Sequence, residues 1–233
     1  MKSQLAALVL MLTTTFLFAQ KTVVIPFTTF YGSADAYYKY DFSKIDNSLS
    51  SFTNSHNSFE LGMASIEALH KMDKGSVFVD LGFGNRAAQF TYNDGVKTFI
   101  IKQLNFTYKF SDKFKVTLGS FATHVGYELV DAVDNKNYSM SYAFTYGPFF
   151  NTGIKVQYTS NKFSFMAGVS NPTDLKSTID AGSTQKTFIG QLAFLGDTGS
   201  AYFNVTSGSS NPSSDENKTQ FDFFEDGVYK NNK

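Results

Sequence analysis

Cysteine and tryptophan are absent from the 233 residues, proline occurs 4 times, and the 20 basic and 20 acidic residues cancel. Arginine occurs once, at position 86. Without cysteine there are no disulfide staples, no thiolate metal ligands and no cysteine nucleophile, which excludes the disulfide-rich type of small secreted domain. A balanced charge supplies no field for gathering nucleic acid, so none is expected as a partner. Beyond the N-terminus no run of about 18 apolar residues occurs, and any crossing of a membrane falls to strands.

What the chain has in quantity is aromatic residues, 26 Phe and 13 Tyr. Lys2, the apolar run LAALVLML and the ending Phe18, Ala19, Gln20 read as a secretory signal peptide over 1–19, leaving 20–233 as one domain exported to the envelope. In the stretch TFYGSADAYYKYDFSK, Phe30, Ala34, Ala36, Tyr38, Tyr40 and Phe42 share one parity. Ser33, Asp35, Tyr37, Lys39 and Asp41 share the other. Successive strand side chains point to opposite faces, so this is a ribbon with one oily side and one charged side.

Period-two runs predict strands near 29–43, 57–69, 76–91, 98–110, 114–124, 150–159, 162–171, 186–195, 200–207 and 218–224. Tight turns are expected at 71–75, 111–113, 160–161 and 196–199, and long connections at 44–56, 125–149, 172–185 and 208–217. Only 93–97 breaks the alternation by being short. Short turns at one end and long loops at the other are the layout of an outer-membrane barrel. The fold class expected is therefore all-β, an antiparallel transmembrane β-barrel of about ten visible strands. A three-residue turn at Ser111 would pair Phe110 with Phe114, Tyr108 with Val116 and Phe106 with Leu118, placing Asn105, Thr107 and Lys109 against Gly119, Thr117 and Lys115. The turn at Ser160 is expected to set Tyr158 against Phe163 and Val156 against Phe165.

The polar parity supplies candidate channel-lining residues: Asp35, Lys39, Glu60, Asp80, Arg86, Gln103, Asn105, Lys109, Lys115, Lys155 and Gln157, with Asn204 beside them. Acidic groups gather on the first three strands and lysines on the fourth to sixth. Such walls either create a transverse field that orients passing solutes or simply pair and stay solvated. Arg86 is expected beside Glu60 as a guanidinium brace, with Gly62, Ala64, Gly82 and Gly84 leaving room for it. The mixed segment 125–149 fits either an extracellular hairpin or a loop folded back into the pore.

Histidine occurs only at 56, 70 and 124, and no G-x-S-x-G elbow, histidine pair or calcium-loop spacing occurs. No catalytic residue, metal or cofactor is expected. The runs SFELGMASIEALHKMDKGSVFVDLGFGNRAAQF, GSFATHVGYELVD and NYSMSYAFTYGPFFNTGIKVQY, with the G-P-F-x-x-T-G re-entry from Gly147 to Gly153, resemble the outer-membrane β-barrel porin family, OmpL-like, of Bacteroidetes-type Gram-negative bacteria. The likeness covers roughly residues 28–205. It implies a porin in the cell outer membrane passing small polar solutes or ions, with membrane lipid as its surroundings and a homo-oligomer as an open arrangement. Two alternatives stand beside it: a plugged barrel whose loops bind a partner, and a secreted β-sandwich. Because the chain ends VYKNNK and Asp226-Gly227 reads as a turn toward a further strand, the barrel is expected to be incomplete at its C-terminus.

Overall fold

The alternation becomes ten strands of a single antiparallel sheet, each hydrogen-bonded to its neighbours in chain order. A computed structural model describes residues 28–46, 51–94, 100–179, 184–209 and 217–227; the expected leader at 1–19 lies outside them. The first strands are β1 (Thr28–Lys39), β2 (Ser58–Lys71) and β3 (Gly75–Phe83), followed by a short helix α1 (Asn85–Phe90). Then come β4 (Ile101–Lys109), β5 (Phe114–Ala122), a second short helix α2 (Tyr142–Tyr146), β6 (Phe150–Thr159) and β7 (Phe163–Ser170). The last are β8 (Thr187–Leu195), β9 (Gly199–Ser209) and β10 (Asn217–Gly227). Among the described residues β1 and β10 do not pair, so the sheet is not closed.

Turn chemistry sets the register. Ser111 Oγ accepts from the N–H of Lys113 (3.3 Å) and Phe114 (3.1 Å), and the β4–β5 pairs predicted from Asn105–Gly119 to Lys109–Lys115 are present, with Phe110 beyond the ladder donating its N–H to the Phe114 carbonyl (3.0 Å). The β6–β7 hairpin differs from its expectation. Ser160 Oγ accepts from the N–H of Lys162 and Phe163, which widens the turn by two residues and sets Tyr158 against Phe165 and Val156 against Ala167. A slip of two preserves the faces, whereas a slip of one would have inverted them.

Two further expectations are corrected. The strand predicted over 76–91 stops at Phe83, because Gly84 turns the chain with φ +116° and the helix formers of NRAAQF continue as α1. The connection after β3 is therefore long, and the apparent exception at 93–97 disappears: every connection on that end of the sheet is long. Asp226 and Gly227 are not a turn but the end of β10, opposite Ser200 and Gly199.

The outward parity is oily and uncovered. Phe59 is 86 % exposed and Phe30 71 %, and Leu61, Phe106, Leu118, Phe165, Phe188, Phe194, Phe221 and Phe223 are all exposed beside them. A sandwich would need a second sheet across this face, yet the described strands form one sheet. So large an apolar surface requires a nonpolar surrounding, and strands of 8 to 14 residues suit a tilted path across a membrane. No helix among the described residues is long and apolar enough to cross one.

Candidate functional site

The inward face is organised by one segment, 123–149, which crosses it from edge to edge. At its start the Gly126 N–H donates to Asp222 of β10 at 2.9 Å, and Asp222 is held in turn by Asn204 Nδ2 at 2.8 Å. Farther along, Asp131 accepts from Ser33 of β1 (3.3 Å), from Ser65 of β2 and from Lys102 of β4. Tyr138 then donates its hydroxyl to Asp35 of β1. Of the two arrangements open to this segment from its sequence, the structure shows the folded-in one.

Behind these polar contacts lies an apolar cluster drawn from separate connections: Phe52 from the first, Ala87 and Phe90 from α1, and Val130, Met140 and Phe144 from the crossing segment. They pack on Met63 of β2, Phe149 at the end of the crossing segment and Phe150 of β6. Phe52 is held at φ +72°, an uncommon conformation for a bulky residue that persists only where surrounding packing dictates it. The connections thus form a packed body against the inner face.

Arg86 sits on α1, not on a strand, and it braces Asp35 (3.4 Å) instead of the expected Glu60. Its guanidinium lies 4.9 Å from the Tyr138 ring centroid and 5.9 Å from that of Phe52, a cation–π setting that fixes the fork between two aromatic faces. Glu60 receives Asn85 Nδ2 at 3.5 Å. The glycines make room for other partners than predicted: a Cβ at Gly62 would lie 2.0 Å from Asp35 Oδ2, and one at Gly82 would lie 2.9 Å from Lys102 Cδ. Ala64 is exposed on the outer face, because a bulge at Gly62 shifts the parity of β2.

A second bulge explains the residue that sequence reading missed. Lys102 shares the parity of Leu104 and Phe106, which marks it as lipid-facing, but the β3–β4 register slips there and leaves it unpaired between Gln103 and Ile101. Its side chain turns inward and is fully buried, its ammonium 2.9 Å from Asp80 and ion-paired with Asp131. Glu67, Asp80 and Asp131 bring their carboxylate oxygens within 4.8 Å of one another, a grouping invisible as a motif because it assembles three distant segments. The cation among them is supplied by the chain itself.

The remaining predicted positions are placed as follows. Lys39 Nζ donates to the Thr53 carbonyl (2.7 Å), pinning the first connection. Gln103 donates to Asp80 (3.3 Å) and accepts from the Ala122 N–H (2.9 Å), while Asn105 donates to the Ser120 carbonyl (3.1 Å). Gln157 donates to Ser164 at 3.1 Å. Lys155 rests its ammonium 4.0 Å from the Phe121 ring centroid, and Lys109 and Lys115 face each other across the β4–β5 pair.

With an aromatic outer face, a polar inner face and a folded-in segment in view, comparison with known families is decisive. The family described as Putative beta-barrel porin-2, OmpL-like, matches residues 28–231. The chain belongs to this family. No curated protein and no solved structure matches it. As an OmpL-like β-barrel porin it is an outer-membrane protein of porin type.

The long-loop end of this porin carries a titratable latch. Asp174, at φ +60° in the connection after β7, accepts the N–H groups of Phe149 (2.6 Å) and Phe150 (3.1 Å) and the Tyr92 hydroxyl (3.3 Å). Burial pushes its carboxyl up to about 6, although the two backbone donors pull the other way. Burial likewise pushes the Tyr92 phenol up to about 12. Because the native form of Asp174 binds its proton more tightly than an unfolded carboxyl, the latch contributes most below pH 4 and loses strength as pH rises through about 6. Hydrogen exchange at Phe149 and Phe150, corrected for its intrinsic pH dependence, is expected to be slower at pH 5 than at pH 7.5. Asp174→Asn, which keeps an acceptor oxygen, is expected to abolish that difference; an unchanged pH dependence in the variant would rule the latch out.

Proposed function

We propose that this porin lets small polar solutes or ions diffuse passively across the outer membrane along its inner face, past the constriction formed by segment 123–149. The observation that carries this reading is the contrast between the two faces of one sheet: uncovered aromatics outside, and Asp35, Asp80, Gln103, Asn105, Lys109, Lys115 and Gln157 inside. Membrane lipid is the partner of the outer face, small polar solutes of the inner one, and export through the N-terminal leader brings the chain to the envelope. The reading assigns no catalytic residue; His124 directs Nε2 to the Val205 carbonyl at 3.0 Å.

The packed cluster around Phe52, Phe90 and Phe144 favours one competing reading, a plugged barrel whose outer connections bind a partner. Reconstitution of the purified full chain into planar bilayers separates the two. Discrete conductance steps are the expected result. A protein that floats with vesicles and resists a salt wash but stays electrically silent would replace the diffusion reading with the plugged one.

A further inference from the structure

The clustered carboxylates of the inner face hold a cation among them, whereas three of its lysines pair with no carboxylate among the described residues. On the β1–β3 side, Asp35 is answered by Arg86 of α1, while Asp80 of β3 and Asp131 of the crossing segment, with Glu67 of β2 beside them, share the ammonium of Lys102. On the β4–β6 wall three lysines stand together. Lys109 and Lys115 are register partners in the β4–β5 pair, Lys115 is next opposite Gln157 of β6, and Lys155 lies two residues along β6 on the same face. None of the three makes an ion pair or a side-chain hydrogen bond among the described residues; Lys155 has only the Phe121 ring. Asp112, the nearest carboxylate in sequence, lies exposed in the turn between β4 and β5 and pairs with none of them.

Like charges placed directly opposite on a strand pair repel, and the repulsion is strongest where the wall restricts solvent. A chain that sets three ammonium groups in adjacent register and gives them no carboxylate has built a place for a mobile anion. Thr107 and Thr117 supply hydroxyls on the same face, their Oγ1 atoms 2.9 Å apart in a hydrogen bond that either can donate. The position is also informative: Lys109 and Lys115 flank the short turn at 110–113, so the stripe begins at the turn end and reaches Lys155 in mid-strand, short of the packed connections at the other end.

We propose that Lys109, Lys115 and Lys155 form an anion site of the inner face that takes small multivalent oxyanions of the phosphate type and makes the porin anion-preferring. Rings or stripes of lysine act in this way in pores because several weak point-charge sites attract the ion without trapping it. This inference rests on the diffusion reading for selectivity, but not for binding.

Two measurements keep the readings apart. In planar bilayers under a potassium chloride gradient, the reversal potential of the native chain is expected on the anion side. In Lys109→Gln/Lys115→Gln/Lys155→Gln it is expected to move toward the cation side, and inorganic pyrophosphate is expected to block chloride current in the native chain only. A native cation preference, or a reversal potential unmoved in the triple variant, would overturn the site. Calorimetric titration of the detergent-solubilised full chain with inorganic pyrophosphate reads the same site without conduction. Affinity is expected to fall roughly tenfold or more in Lys115→Gln alone, the loss of one charge-assisted hydrogen bond. Binding without conductance would retire the diffusion reading and keep the site; conductance without lysine-dependent binding would do the reverse. Heat-modifiable gel mobility verifies that each variant folds.

Discussion

Lys102→Met is expected to destabilise the folded porin by about 3–5 kcal/mol, the usual consequence of removing one partner from a buried ion pair. The methionine fills much the same volume beside Gly82, so the loss is one of charge and not of packing. Asp80 and Asp131, left facing each other and Glu67 without their shared ammonium, would repel, and Asp131 is one of the points that hold segment 123–149 against the wall. The temperature at which the compact gel form disappears should fall, and hydrogen exchange around 130–131 should accelerate. Adding Asp80→Asn should recover part of the loss. A single variant indistinguishable from the native chain in both measurements would show that the cluster does not hold the segment.

The second large effect concerns the opposite face. Phe106→Lys or Val116→Lys, a charge near the middle of the outer wall, is expected to cost about 2–4 kcal/mol in lipid vesicles. Asn105→Lys, one residue away on the inner face, forfeits the hydrogen bond to the Ser120 carbonyl and should cost only about 1 kcal/mol. Unfolding by denaturant in vesicles compares them directly. Equal costs at the two parities would mean that lipid does not touch the aromatic face.

Both expectations depend on knowing which way each side chain points, and most of that was readable without coordinates. Alternation from Phe30 to Lys39 placed the faces of β1, although the strand predicted over 29–43 ends at Lys39, and the Ser111 turn placed the β4–β5 pairs residue by residue, because side-chain direction in a strand has a period of two and a hairpin turn fixes its phase. The β6–β7 register missed by two and still left every face correct. Periodicity failed where the phase itself changes: at the bulges beside Gly62 and Lys102, and at Gly84, where a strand reading gave way to a helix.

Face and order along the sheet were therefore properties of the sequence alone, carried by local alternation and turn chemistry. Tertiary structure alone decided that 123–149 crosses the interior, that Arg86 serves Asp35 and not Glu60, and that Lys102 joins Asp80 to Asp131. Those contacts unite residues far apart in the chain, and their formation depends on bulges and on the packing of several connections at once, for which a one-dimensional pattern has no signal.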